Sequence, residues 1–198
     1  MKCVVLYNSC DKERFENILK WNALSYCEFW GICCDDYSGV NEIVKKKDEI
    51  KVCLVGSSGG HLTHLYMLKP FWKDKNRFWV TFDKEDARSL LEGEKVYPCY
   101  FPTNRSIKAL IKNTKIAWDV LHKEKPDLII SCGAAVAVPF FYIGKMMGAK
   151  LVYIEVFDRI DKPTMTGKMV YPIVDKFVVQ WEEQKKVYPK AVNLGSIF

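Results

Sequence analysis

From Lys51 onward, short apolar runs alternate with longer stretches of mixed character. The runs are Lys51–Gly56, Phe78–Phe82, Val96–Phe101, Leu128–Ser131, Leu151–Glu155 and Phe177–Gln180. They are β-branched or aromatic and show little in–out alternation, the pattern of strands covered on both faces. Between them the spacing predicts helices over His61–Lys69, Lys84–Glu92, Ser106–Lys125 and Val136–Met147. Pro70, Gly93, Pro126 and Gly148 punctuate their ends, because proline and glycine cannot carry a helix on at no cost. Strand–helix alternation of this kind predicts an α/β fold with a doubly wound parallel sheet, Rossmann-like in character. Residues 1–50 carry a second, shorter pattern. Cys3–Tyr7 and Tyr26–Cys33 read as strands, Asp11–Leu24 and Asn41–Glu49 as helices. No Gly/Ser/Pro-rich linker follows, so residues 1–50 are expected to be a small β-α-β-α extension packed on a main domain of residues 51–198.

Composition narrows the class. A chain of 198 residues fits one domain plus an appendage. With 49% hydrophobic and 27% charged residues it is globular rather than disordered. The eight cysteines include no C-x-x-C pair, which rules out zinc ribbons and c-type haem attachment. Cys3, Cys53 and Cys132 lie inside apolar runs, where free cysteine behaves as a small hydrophobe, and this suggests a reducing compartment. No secretory signal is evident at the start. The longest uncharged stretch, Leu128 to Gly144, falls short of the ~20 residues of a spanning helix. The net charge of +6 is uneven: residues 1–50 carry seven Lys/Arg against nine Asp/Glu, and the rest carry 23 against 15. A basic main domain implies an anionic partner.

Ligands of parallel sheets sit at the carboxyl ends of the strands. After the first main strand comes Gly56-Ser57-Ser58-Gly59-Gly60-His61. Glycines let backbone N–H groups approach an anion, and the next helix starts there with its positive dipole end. The loop lacks the glycine spacing of a dinucleotide fingerprint and the lysine of a P-loop. It reads as a phosphate-cradling turn or as a turn that merely permits tight packing. It also satisfies G-x-S-x-G, with Ser58 as nucleophile of a serine hydrolase, for which only His122 could supply the base. At a helix start a neutral His61 is expected, which makes it a candidate general base or a simple cap. Gly133-Ala134-Ala135 opens the fourth helix and repeats the logic, as a second anion site or as close helix–sheet packing. Glu155 ends an apolar strand, either as a functional carboxylate or in a salt bridge to Arg159. Over Asn104–Lys125, Ile107, Leu110, Ile111, Trp118 and Leu121 follow helical spacing, with Arg105, Lys108, Lys112 and Lys115 toward other faces. That helix suits a membrane surface, or a core contact with a solvated basic face.

Taken in order, these motifs resemble a family. They are Val55-Gly56-Ser57-Ser58-Gly59-Gly60-His61-Leu62, Ser131-Cys132-Gly133 with Pro139-Phe140, and Tyr153-Ile154-Glu155 with Arg159. Thr166-Gly167-Lys168, Tyr171-Pro172 before Asp175, Gln180-Trp181 and Leu194-Gly195 complete the set. The chain resembles the acceptor-side subunit of split UDP-sugar glycosyltransferases. One branch is the eukaryotic anchor subunit that helps add the second GlcNAc to dolichol-diphosphate-GlcNAc. The other is the bacterial capsule and exopolysaccharide biosynthesis proteins, the more similar of the two. The resemblance covers about Lys51 to Phe198. It implies the N-terminal half of a B-type glycosyltransferase fold, which binds a polyprenyl-diphosphate sugar while a donor-binding partner subunit holds the UDP-sugar. No cofactor or metal is expected in this chain. Gly59, Gly60 and Gly133 would cradle the acceptor diphosphate, and His61 would be the base. Glu155 would orient the acceptor or face the donor. Ser58, Asn104, Arg159, Thr166, Lys168 and Gln180 would line the cleft. Lys108, Lys112, Lys115 and Trp118 would meet an anionic membrane surface, with the protein peripheral on the cytoplasmic side of the plasma membrane. A basic nucleic-acid-binding module is the non-enzyme alternative, without any nucleic-acid motif to support it.

Overall fold

The computed structural model describes residues 50–101 and 107–197. The elements predicted within residues 1–49, and with them the extension, lie outside this range, as does Asn104. The described residues form a seven-stranded parallel sheet in the order β3-β2-β1-β4-β5-β6-β7. The strands are β1 (Val52–Val55), β2 (Arg77–Phe82), β3 (Val96–Cys99), β4 (Leu128–Ser131), β5 (Lys150–Ile154), β6 (Lys176–Val179) and β7 (Val192–Asn193). Every residue of β1 and β4 is buried, which is why both read as unbroken apolar runs. The predicted doubly wound sheet is therefore the observed one.

Helices α1 (Gly60–Met67), α2 (Lys69–Trp72) and α3 (Glu85–Leu90) connect the first three strands. Pro70 lies in the first turn of α2 instead of closing a single longer helix, because a proline needs no N–H partner there. Helices α4 (Ile107–Glu124), α5 (Ala137–Met146) and α6 (Met165–Val170) connect the later strands, and a 3₁₀ turn, Glu182–Lys186, precedes β7. Right-handed crossovers put the two helix groups on opposite faces. Trp79 of β2 meets Trp72 edge-on at 5.2 Å on the α1–α3 face. Cys53, Val55, Val80, Leu151, Tyr153 and Phe177 join the α4–α6 side in the main core.

The face of α4 differs from the one its spacing predicts. The buried stripe is Ala109, Asn113, Ala117, Val120 and Leu121, whereas Ile111 is 65% and Trp118 50% exposed. Small residues let α4 lie close to α5, and the large apolar side chains point outward between lysines. At the amino edge of the sheet, Glu124 is buried beneath Lys51 (2.6 Å), Lys95 (2.7 Å) and the Tyr97 hydroxyl.

Candidate functional site at the switch point of the sheet

Strand order reverses at β1: β2 flanks it on one side and β4 on the other. The crevice at the carboxyl ends of β1 and β4 is where this topology binds ligands. The Gly56–His61 loop and the Ser131–Ala135 turn meet there. Gly59 takes φ +77 and caps α1, a backbone conformation that suits glycine. The first internal bond of α1 is Thr63 N–H to Gly59 O, so the N–H groups of Gly60, His61 and Leu62 precede the helical ladder. Gly59 N–H is already engaged: it donates to Asp86 Oδ2 at 2.7 Å. A carboxylate from α3 thus occupies one of the positions assigned to the acceptor diphosphate.

His61 reaches across the crevice. Its Nδ1 is 2.9 Å from the carbonyl oxygen of Cys132. A carbonyl only accepts, so Nδ1 carries the proton and a neutral ring has its lone pair on Nε2. Gly133 does not offer its N–H to a ligand, contrary to the sequence expectation. That N–H donates to Ser131 Oγ at 3.0 Å, and the same hydroxyl donates to Gly133 O at 3.2 Å. Ala134, next in the turn, holds φ +70, a conformation that costs an L-residue roughly 1–2 kcal/mol. Burial keeps the Cys132 thiol protonated, with the Glu155 charge adding to the effect, so Cys132 contributes its carbonyl and no nucleophile.

Glu155 stands in a second cluster, and its place corrects the expectation of a cleft-facing carboxylate. It is fully buried. Its oxygens accept from Thr164 Oγ1 at 2.9 and 3.1 Å, Tyr188 OH at 3.1 Å, Val156 N at 3.2 Å and Thr164 N at 3.3 Å. Thr164 in turn caps α6 by accepting from Gly167 N–H at 2.9 Å, and its hydroxyl lies 3.2 Å from that of Tyr153. Burial, then the Glu155 charge, raises the pKa values of Tyr153 and Tyr188, which fixes both as neutral hydroxyls. Gln180 is also spent internally: its amide donates to Glu155 O and accepts from Ile197 N–H, both at 2.9 Å. Arg159 pairs loosely with Asp158 at 3.9 Å instead of Glu155. Thr166 is buried in the first turn of α6, and Lys168 is exposed on it.

The structure therefore brings Gly59, Gly60, His61 and Gly133 together, with Ser58 half-buried in the same loop. The Glu155 network adjoins them through Tyr153, whose hydroxyl lies 3.2 Å from Thr164 Oγ1 and 3.4 Å from where a Cβ on Gly133 would stand, whereas Arg159 and Lys168 are in solvent. The structure also removes the hydrolase reading. His122 lies in the last turn of α4, stacked on Trp118 at 4.1 Å, and α4 runs back to the amino edge, opposite to Ser58. The contacts made by Asp86, Ser131, Thr164 and Tyr188 were not assigned from sequence, although Ser131 stands within one of the sequence motifs. Of these, only Thr164 carried a signal: a threonine three residues before Gly167 is an N-cap pattern.

Comparison with known proteins agrees with this fold. The model of the family described as "Oligosaccharide biosynthesis protein Alg14 like" matches residues 52–197. The UDP-N-acetylglucosamine transferase subunit ALG14 of Homo sapiens is 25% identical, over 78% of this chain and 86% of the relative. Its counterpart in Candida albicans is 27% identical, over 77% and 82%. Among solved structures, Acinetobacter baumannii MurG superposes with a TM-score of 0.57 at 14% identity, over 68% of this chain and 42% of MurG. The UDP-N-acetylglucosamine 2-epimerase of Rickettsia bellii gives a TM-score of 0.60 at 16% identity, over 75% and 45%. The chain thus spans less than half of those two structures, and the likeness is one of fold. Nothing in these comparisons supports a hydrolase or a nucleic-acid module. A family match running from the first residue of β1 to the last described residue, on this Rossmann-like sheet, makes the chain a member of the Alg14-like family of oligosaccharide biosynthesis proteins.

Proposed function

We propose that this chain is the acceptor-binding subunit of a two-chain UDP-sugar glycosyltransferase. The observation that carries the reading is His61 at the switch point, its Nδ1 tied to Cys132 O, which leaves Nε2 as the ring's acceptor for a substrate proton. The acceptor is a sugar on a polyprenyl diphosphate, and the product is an oligosaccharide for surface polysaccharide assembly. A separate donor-binding subunit holds most of the UDP-sugar; the relatives matched over most of their length are themselves named subunits. In the reaction the acceptor hydroxyl oxygen attacks the anomeric carbon of the donor. The bond from that carbon to UDP breaks, UDP leaves with the electron pair, and the hydroxyl proton passes to His61 Nε2. The N–H groups of Gly60, His61 and Leu62 meet the diphosphate once Asp86 gives way at Gly59. Glu155 touches no substrate; it positions the loop before α6. The outward stripe Lys108, Ile111, Lys115 and Trp118, with Lys112 beside it, rests on an anionic cytoplasmic leaflet.

The test is reconstitution with the donor-binding subunit and a lipid-diphosphate-sugar acceptor. The chain alone is expected to transfer no sugar, and the pair to be active. His61→Asn, whose amide can still donate to Cys132 O, is expected to lower kcat of the pair by about 10²–10⁴. Full turnover by the isolated chain refutes the split-enzyme reading, and normal turnover by His61→Asn refutes the base.

A further inference from the structure

We infer that the Cys132–Gly133 peptide is the orienting group of His61, and that Gly133 is a positioning residue rather than a diphosphate ligand. The inference rests on the reading of His61 as the base and extends it to what holds the base. Three observations converge on one turn. First, the ring's hydrogen bond goes to the carbonyl of Cys132 at 2.9 Å. Second, a single buried hydroxyl closes the turn that aims this carbonyl: Ser131 Oγ accepts from Gly133 N and donates to Gly133 O. Third, the ring lies where a side chain at 133 would be. A Cβ there would stand 2.7 Å from His61 Cε1, 2.8 Å from Nδ1 and 3.4 Å from the Tyr153 hydroxyl. Gly133 also holds φ +123, which L side chains rarely adopt. Sterics and backbone thus demand glycine independently, and the N–H that a phosphate would need is already bound.

The chemical consequence follows from using a carbonyl. A carboxylate at Nδ1 would fix the tautomer and also stabilise the imidazolium by charge. A carbonyl fixes the tautomer and adds no ion pair. Nε2 is presented as an acceptor before any substrate arrives.

The experiment reads the tautomer directly. The full chain, labelled with ¹⁵N in histidine, is observed by long-range ¹H–¹⁵N NMR above the pH at which the ring titrates. His61 is expected in the Nδ1–H form; an Nε2–H form overturns the inference, and this measurement needs no variant. Gly133→Ala is expected to abolish the tautomer preference. In the reconstituted pair it should lower kcat by about 10²-fold or more, since displacing a catalytic group by about 1 Å costs that much, with acceptor KM nearly unchanged. A rise in KM at constant kcat would return Gly133 to the diphosphate and overturn the inference. The two readings fail separately: a correct tautomer with an active His61→Asn pair removes the base and leaves the seat.

Discussion

Gly167→Ala tests the Glu155 network, because two effects of opposite sign meet at one residue. Gly167 lies inside α6, where alanine is normally favoured over glycine by roughly 1 kcal/mol. Here the added Cβ would stand 2.5 Å from Glu155 Oε2, 2.6 Å from the Tyr188 hydroxyl and 2.9 Å from Thr164 Oγ1. Those atoms bond to one another, so none can step aside alone. Hydrogen bonds to a charged group are worth about 1.5–3 kcal/mol each. Losing two of them outweighs the helical gain and gives a net loss of about 2–5 kcal/mol. At roughly 2–4 °C per kcal/mol for a chain of this size, Tm should fall by on the order of 10 °C. Urea unfolding and thermal circular dichroism measure both quantities. The same substitution in a Glu155→Ala background should cost less, since one of the crowded oxygens is gone, with a coupling energy of about 0.5–3 kcal/mol. A Gly167→Ala chain as stable as the parent, or more stable, would refute the account of Glu155 as a buried organiser.

The remaining predictions concern charge. Burial opposes ionisation of Glu124, but the hydrogen bonds from Lys51, Lys95 and Tyr97 outweigh it and hold its pKa at about 2. A carboxylate depressed in the folded state stabilises above its unfolded pKa and loses that contribution as pH falls through the folded value. Glu124 should therefore contribute about 3 kcal/mol near neutrality, lost between about pH 4.5 and 2. Glu124→Gln should remove that acid dependence, and parallel acid-unfolding curves for parent and variant would refute it. For the membrane stripe, the combined change Lys108→Glu, Lys112→Glu and Lys115→Glu should weaken sedimentation with anionic liposomes by at least about 10²-fold, at about 1 kcal/mol per lysine. Unaltered, salt-insensitive binding would show that this face does not meet lipid.

The sheet was legible because a parallel core strand must be apolar on both faces. Five of the six runs matched their strands to within a residue at each end, and only Val96–Phe101 overran, β3 ending at Cys99. β7 escaped because two half-buried edge residues leave no periodic signal. The face of α4 was misread for a physical reason: periodicity weights large apolar residues, and this helix buries alanines and an asparagine. Asn113 is buried because its amide makes both hydrogen bonds to the Tyr100 backbone, at 2.9 and 3.1 Å.

The site divides along the same line. Small residues at strand ends announce a close approach, so Gly59, Gly60 and Gly133 were visible, but what approaches Gly133 is His61 and no residue count between them reveals that. Glu155 shows how much parity could have told. Strand side chains alternate, so 151, 153 and 155 share a face and 152 and 154 share the other. Leu151 and Tyr153 are buried in the main core beneath the α4–α6 layer. Glu155, one step beyond the last strand residue, keeps their side and enters the same layer, where Thr164 and Tyr188 supply its donors. A carboxylate on the core face has to be either neutral or saturated with donors. The side-chain donors come from residues 9 and 33 positions away, a distance across which sequence spacing carries no information. Catalytic appearance in a sequence, an acid ending an apolar strand beside conspicuous loops, is thus equally the appearance of a carboxylate built to hold those loops in place.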